Sequence, residues 1–526
     1  MQRKEKSSVH IVEFPLIATP SDIKEIEVRF SFLRQLYNAA LAELFKRNIK
    51  LNDDAEFQAL LTQYRDRKSA KDEKALKPLS KQLSEKTKEY GLTEASIQSF
   101  TTANKNACCF SNHLDAHTTQ AIATRAFKAF SEWKFKGKGK PRFKSWVRGI
   151  HSAEGKAKSC LMIVIGDDNK PTRFKWKGLE IPVKLSKKDN QGYEAAALEL
   201  IGKGEWKFCR ILSRTVRGKI KVYLQVLLSG ESYQKQSHLD RIKQNKGKRT
   251  GVDMAPSGFA AVSESDAILS PLGAEIQQIK SQIARLQRQN SRRLRLANPA
   301  NYSAKTKRKG RKSLTVFKVK KGARNWIKTN AYLNTQAEIK ELHRQMVARR
   351  KQEHDRLAND IISLGNIVMA ETLSYKAWQK RFGRSVGAFA PGQFVSTLRR
   401  KAENAGGRMV DINTWKAKLS QYDHVLDEYH KKKLSERVHY LGGELPVQRD
   451  LYSAFLAMCV CEKEHIVSLT TAQAAWSGVR HSLDAAVIRV NQTAISRSLP
   501  TSFGLRELIP YLQSERLAVK ATEPLL

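Results

Sequence analysis

No stretch of this chain approaches the roughly 20 apolar residues a membrane helix needs. Met1-Gln-Arg-Lys-Glu-Lys6 precedes no apolar run of signal-peptide length. A membrane partner is therefore not expected. Cysteine is scarce: Cys108, Cys109, Cys160, Cys209, Cys459 and Cys461 are all there are, and none forms a C-x-x-C pair. They do not suggest a disulfide framework, so a reducing cytoplasm is expected. Acids are under-supplied, with 51 Asp and Glu against 95 Lys and Arg, a net charge of +44. A core cannot absorb that charge, so most of it must face solvent or a polyanion. The excess has one sign and recurs along most of the chain. A solubility surface explains that poorly, and nucleic acid is the expected partner.

What is present supports several real cores. The 526 residues are 41% apolar, and a chain this long is expected to form roughly two to four domains. Val9–Phe14 reads as a strand, and Pro20-Ser-Asp22 as a helix start capped by Ser21 or Asp22. Helical periodicity continues to about Phe130. It then gives way to Trp133-Lys-Phe-Lys-Gly-Lys-Gly-Lys-Pro-Arg-Phe-Lys-Ser-Trp146. There cations can meet phosphates, and rings can stack on bases or anchor the loop. Strands are predicted over Leu161–Ile165, Leu179–Val183, Trp206–Leu212 and Ile220–Leu228, the last two flanking an Arg217-Gly218 turn. Gln234 to Arg249 reads as a linker. Ile276, Ile279, Ile283 and Leu286 mark an amphipathic helix. Asn290 to Lys328 contains no acid and reads as a basic loop, for which a solvated insertion and direct binding weigh about equally. A long helix is predicted from about Ala337 to Ile362, and loop over Phe382–Gly387 and Ala390–Gly392.

Three carboxylates carry the chemical reading. Asp253 sits in Gly251-Val-Asp-Met-Ala-Pro-Ser257, read as a strand that turns at Pro256-Ser-Gly258 into a second strand. Glu371 ends the buried-type strand Ile367-Val-Met-Ala-Glu371, and Asp450 opens an apolar helix. Each alone is weak, since an acid at a strand end is usually solvated and an Asp at a helix start is usually a cap. Phosphodiester hydrolysis needs an activated water and a stabilised leaving oxygen, which two divalent ions held by carboxylates supply. Three acids from separate elements in a chain of this charge fit that need. Magnesium is the expected metal in a two-ion site, with manganese as a substitute.

The segments Leu36-Tyr-Asn-Ala-Ala-Leu41, Pro141-Arg-Phe-Lys144, Gly251-Val-Asp253, Ile367-Val-Met-Ala-Glu371, Lys418-Leu-Ser420 and Arg449-Asp-Leu-Tyr-Ser-Ala454 occur in that order. As a set they resemble the transposon-encoded TnpB proteins and the compact type V CRISPR effectors. The resemblance implies an α+β multidomain chain. A β-rich oligonucleotide-binding-like wedge domain, interrupted by a helical recognition lobe, precedes an RNase H-like (RuvC) α/β nuclease domain. Its implied boundaries are 1–20 for the first wedge strand, 21–130 for the lobe, 131–233 for the wedge β-barrel and 234–250 for a linker. The nuclease would occupy 251–417 with a basic insertion at 290–328. A degenerate zinc-ribbon-like target-loading segment at 418–448 and a C-terminal nuclease part and tail at 449–526 would follow.

The activity implied is RNA-guided cleavage of DNA beside a short flanking motif, in a prokaryotic cytoplasm. The partners would be a guide RNA and a DNA target, double- and single-stranded. Asp253, Glu371 and Asp450 would be the catalytic, metal-binding acids. Lys138, Lys140, Arg142, Phe143, Lys144, Trp146, Lys307, Arg308, Lys309, Arg311, Lys312, Arg399, Arg400 and Arg449 are the expected nucleic-acid contacts. The chain departs from the family in one place: the interval from Lys418 to Arg449 has no cysteine. Asp423, His424, His430 and His439 remain there as candidates, expected as exposed loop residues without zinc. Leu419, Val425, Leu426, Leu434 and Leu445 are expected to pack the segment, or else leave it mobile as a lid. A guide-directed binder that does not cut, and a DNA-strand transferase, are the competing readings.

Overall fold

The computed structural model describes residues 9–522, except 71, 148, 157–159, 168–169, 187–188, 190–191, 231, 310–311, 434, 495–498 and 500–502. The described chain is mixed α+β and divides into two compact units, Met1–Tyr233 and Gln234–Leu526. No helix among the described residues is long and apolar enough to cross a membrane.

The first unit begins with β1 (Val9–Pro15) and five helices, α1 (Pro20–Asp53), α2 (Ala55–Ser69), α3 (Glu73–Glu89), α4 (Glu94–Asn106) and α5 (Ala116–Lys136). Strands β2 (Ser152–Lys156), β3 (Leu161–Val164), β4 (Arg173–Trp176) and β5 (Leu179–Pro182) follow, then α6 (Tyr193–Gly202), β6 (Trp206–Val216) and β7 (Lys219–Ser229). The expected cap of α1 is corrected: Thr19 is the N-cap and Pro20 opens the helix. Thr19 Oγ1 accepts from the Asp22 amide at 3.2 Å, and Asp22 accepts back from the Thr19 amide at 2.8 Å. That reciprocal pair satisfies two amides that no helical carbonyl can reach. β1 pairs antiparallel with β7 over its whole length, so α1–α5 are inserted between strands of one four-stranded sheet, ordered β1-β7-β6-β2. β6 and β7 turn at Arg217 and Gly218, both with positive φ, as a two-residue hairpin matched to strand twist requires.

The second unit starts with α7 (Gln236–Gln244), where a linker was expected; its Ile242 is buried. Next come β8 (Arg249–Met254), β9 (Gly258–Val262), β10 (Ala267–Pro271), α8 (Ile276–Ala297), β11 (Tyr302–Lys309), β12 (Lys312–Val319) and α9 (Asn330–Leu364). After β13 (Ile367–Glu371) the chain forms α10 (Tyr375–Phe389), α11 (Pro391–Asn404), β14 (Arg408–Ile412) and α12 (Thr414–Ala417). Four short strands, β15 (Tyr422–Asp423), β16 (Glu428–Tyr429), β17 (Val438–Leu441) and β18 (Leu445–Gln448), lead into α13 (Arg449–Met458), α14 (Leu469–Ala494) and α15 (Leu505–Thr522). Three expectations fail here. The basic loop is a helix end followed by the β11–β12 hairpin, Phe382–Gly387 lies inside α10, which is kinked at Phe382, and of Ala390–Gly392 only Ala390 is outside a helix, as the N-cap of α11. Basic residues with β-branched and aromatic neighbours suit an exposed hairpin, and that signal was hidden by the charge.

The central sheet runs β10-β9-β8-β13-β14. β8, β13 and β14 are parallel; β9 is antiparallel to β8, and β10, antiparallel to β9, runs in the direction of β8 again. Val252, Met254, Val368 and Ala370 pack on one face with residues of α9 and α11. Ala260, Val262 and Met369 pack on the other with Leu451, Tyr452, Ala454 and Phe455 of α13. From Asp450 to Met458 every residue of α13 is buried, most of them apolar, as in a helix enclosed on all sides.

One residue sets how closely α13 lies on the sheet. A Cβ built on Gly251 would stand 1.9 Å from the Ala454 carbonyl oxygen and 2.5 Å from the Met458 nitrogen. Both obstacles are helix backbone, which cannot rotate away. Gly251→Ala should destabilise this unit by about 3 kcal/mol or more, at the upper end of overpacking costs. Denaturant unfolding of the variant chain checks it; a loss below about 1 kcal/mol would mean the helix can lift off freely.

Candidate active site

Side chains alternate along a strand, so Asp253 points to the same face as Gly251, towards α13. The distance from Gly251 to Asp253 is about 6.6 Å of strand rise. Four residues of helix span about 6 Å, which takes α13 from Ala454 back to Asp450. The contact at Gly251 thus sets Asp450 opposite Asp253. The parallel register does the same for Glu371. Ala370 is paired with Val252, so Glu371, one residue on, stands beside Asp253 on the same face. Asp253 and Glu371 are half-buried, and Asp450 is buried. Opposite Asp253 on β9 is Ala260, which leaves room on that side.

The electrostatics follow from crowding. Burial pushes the Asp253 carboxyl well above its usual range, and the charges of Asp450 and Glu371 push it further, offset in part by Arg449. Glu371 is pushed up by burial to about 7. Burial raises Asp450 too, against the pull of Arg449 and Arg437. Asp450 is not the helix cap. That role falls to Gln448, whose side-chain oxygen accepts from the Leu451 amide at 2.6 Å. Asp450 is therefore spared for other work.

The donor set is hard oxygen, which suits magnesium and not a thiolate metal. Among the described residues no group of three or more His, Cys, Asp or Glu is gathered to hold an ion by itself. A magnesium ion usually takes one or two protein carboxylates and fills the rest of its shell with water and substrate phosphate. Pairs drawn from these three acids fit that habit. Their mutual repulsion is itself a demand for positive charge.

Arg449, expected on nucleic acid, is largely engaged inside the protein. It donates to the Glu436 carbonyl at 2.7 Å and lies 3.6 Å from Asp450 Oδ1. Arg399 pairs with Asp411 at 2.6 Å, and Arg400 is 3.9 Å from Asp355. In the first unit, Trp133–Lys136 end α5, which Gly137 closes in the left-handed region. The following residues line a cavity of about 690 Å³ with Tyr37 and Glu132, to which Lys138, Arg142, Phe143 and Lys144 contribute. Lys138 pairs with Glu132 at 2.9 Å, Lys140 lies over the Phe45 ring, and Trp146 is exposed beneath Arg34. Lys307, Arg308 and Lys309 fall on β11 and Lys312 on β12, while Arg311 lies outside the described residues. A basic site absent from the expectations is on α8. Arg285, Arg288, Arg292 and Arg293 line a cavity of about 610 Å³. Their spacing of three and four residues was the available signal.

The segment before α13 also departs from expectation. Asp423, His424 and His439 are buried, not exposed, and only His430 of the four is open, 3.1 Å from Glu428. Asp423 Oδ1 accepts from the Val425 and Leu426 amides, and Oδ2 accepts from Gly442 at 3.0 Å and lies 3.3 Å from His439 Nε2. The Tyr452 hydroxyl accepts from the His424 amide at 3.1 Å and meets His424 Nδ1 at 2.8 Å. The His439 ring stacks on Tyr452 at 4.6 Å. Of the residues expected to pack the segment, Leu419 is buried, Val425 and Leu426 are exposed, Leu445 is half-buried, and Leu434 lies outside the described residues.

No protein-family model matches the chain, and no curated protein does. Among solved structures, one match is a cryo-EM structure of the Cas12f1-sgRNA-target DNA complex. It is 12% identical, covers 86% of this chain and 98% of that chain, and has a TM-score of 0.44. A likeness this distant transfers neither residues nor chemistry.

Two outcomes are expected from this geometry. The native state holds a proton on Glu371 more tightly than the unfolded chain does, because its carboxyl is raised from 4.5 to about 7. That favours folding below about pH 4.5 and is lost as the pH rises to about 7. In chelator at pH 8, Glu371→Gln should therefore melt a few degrees higher than wild type, with the gap closing at acid pH; a lower melting temperature at both pH values would contradict the crowding. Separately, Asp423→Ala leaves buried amides and His439 without their acceptor. It should cost roughly 3 kcal/mol in denaturant unfolding.

Proposed function

We propose that this chain is an RNA-guided DNA endonuclease that cleaves target DNA with a divalent-metal-dependent site built from Asp253, Glu371 and Asp450. One observation carries the chemical part: three carboxylates from β8, β13 and α13 face one another closely enough for two of them to raise the third. Holding uncompensated like charges together costs stability, and it is sustained where a cation is to be bound. The sheet order β10-β9-β8-β13-β14, in which β9 alone runs against the other four, supports an RNase H-like nuclease. The net charge of +44 supports a polyanionic substrate. Guidance by RNA rests on the resemblance of the six segments from Leu36 to Ala454.

Two magnesium ions, when bound, would supply Lewis-acid stabilisation and an activated water. The protein's own work is to hold and orient. Asp253, whose carboxyl feels the charges of both other acids, would be one of the residues that hold the metal. Glu371 stands at the end of β13, where the sheet stops and a strand can approach. Asp450 is pinned by the first turn of α13, and Arg449 tempers its charge. The cysteine-free segment from 418 to 448 is proposed to hold no zinc, its place as an organising centre taken by Asp423, His439 and Tyr452.

Asp253→Ala should abolish DNA cutting, by at least about a thousandfold, while guide and target binding change little. Metal-dependent cutting by that variant at the wild-type rate removes the assignment. Protein stripped of RNA should lose sequence choice and regain it with the copurified RNA. If RNase-treated protein still cuts one chosen sequence, guidance by RNA is wrong.

A further inference from the structure

Trp415 is 88% exposed, although the turn that carries it is built rigidly. Glu371 is paired in register with Ile412, and the Thr372 amide donates to the Ile412 carbonyl at 2.9 Å. The chain then makes a single helical turn. Asn413 caps it, accepting from the Trp415 and Lys416 amides at 3.0 and 3.3 Å. Thr414 Oγ1 donates to the Thr372 carbonyl at 3.1 Å, tying the turn to the residue after Glu371. Lys418 closes it in the left-handed region, and Ala417 and Leu419 anchor it in the core. Ile412, Ala417, Leu419 and Tyr422 all pack on the α13 side of the sheet, the side to which Asp253 and Glu371 point. Trp415 thus stands at the rim of the acid site, three residues past Glu371's neighbour. Both ends of its turn are fixed, and its ring packs on nothing that would explain it.

A large ring left in water needs a reason, since burying it would have been favourable. The surroundings indicate the partner. Lys416 and Lys418 flank the ring and are exposed, and Lys431 and Lys433 are exposed on the same segment before α13. An aromatic platform among cations is the arrangement that holds single strands: phosphates meet the cations and a base lies on the ring, whatever its identity. A duplex keeps its bases stacked on each other and offers no face to such a ring.

We propose that Trp415 is a stacking platform for single-stranded DNA, holding a base next to the scissile phosphate so that the backbone is presented to Asp253 and Glu371. Trp415 is a positioning residue and takes no part in bond breaking. This rests on reading the three acids as a nuclease, and its test is separable from that reading.

Full-length protein is mixed with a labelled oligothymidylate in chelator, at salt high enough to mute phosphate contacts, and binding is followed by anisotropy. Trp415→Ala should weaken binding about tenfold, within the range that loss of one stacked base produces, and Trp415→Phe should restore most of it. Binding to a duplex of equal length should not change. In cleavage assays with metal, Trp415→Ala should raise KM for single-stranded DNA by a similar factor and leave kcat nearly unchanged. Equal binding by wild type and Trp415→Ala, no binding by wild type, or an equal loss on duplex each overturns the proposal. Loss of single-strand binding by Trp415→Ala in a protein that never cuts would support the platform and sink the nuclease reading alone. Because the ring is exposed, Trp415→Ala should melt with wild type; if it melts lower, the comparison is made between wild type and Trp415→Phe against Trp415→Leu, where an aromatic requirement must still appear.

Discussion

The contact between Gly251 and the backbone of α13 is the constraint on which the acid site depends. A helix normally rests on a sheet through side chains, about 10 Å away. Here the missing Cβ lets the Ala454 carbonyl come down almost onto the strand. Everything else follows from two fixed periods. Two strand residues lead from that contact to Asp253, and one helical turn leads from it to Asp450. The parallel register of β13 adds Glu371. The acids therefore meet because of a glycine that has no chemistry of its own. The helix can descend because it is buried on every side and mostly apolar. Leu451, Tyr452, Phe455 and Leu456 are each almost completely buried.

The same closeness creates an electrostatic conflict. The chain as a whole is strongly cationic, yet the neutralisation nearest these acids comes from Arg449 and Arg437, and Arg449 divides its donors with the Glu436 carbonyl. The protein thus keeps a small acidic hollow within a cationic molecule. Long-range attraction brings a polyanion in, but at short range the acids would repel its phosphates. The raised carboxyls relieve part of that repulsion by holding protons, and under the proposed function a cation between the two would relieve the rest. A third Arg close by would have relaxed the carboxyls and also taken the cation's place.

How much of this was legible in the sequence differs by element. Ile367–Glu371 is legible with the bounds it has, because a short β-branched run between a glycine and a turn has few alternatives. The Arg217-Gly218 hairpin was readable for the same local reason. Phe382–Gly387 reads as a loop because its two glycines and charges mask a kinked helix. The β11–β12 hairpin was hidden by its lysines, since charge says little about backbone shape when one side faces solvent. For the site, the acids were conspicuous as residue types, but their meeting was not. It depends on register and on Gly251's approach to a helix some two hundred residues away, and no local pattern carries that.

The histidines before α13 show the opposite error. Read locally, a run rich in His, Lys and Tyr without cysteine looks like open loop. In the structure its polar groups are consumed pairwise. Asp423 serves three backbone amides and His439, and Tyr452 serves both ends of His424. A buried polar network of this kind is stable only when every member is satisfied. Tyr452 is the link, because it lies on α13 two residues after Asp450. Its hydroxyl ties His424, and its ring carries His439. The segment is thereby fastened to the helix that positions an acid. A metal could organise such a segment from any side of it. This network does so only while α13 is docked, which makes the order of the segment conditional on the same contact at Gly251 that assembles the acids.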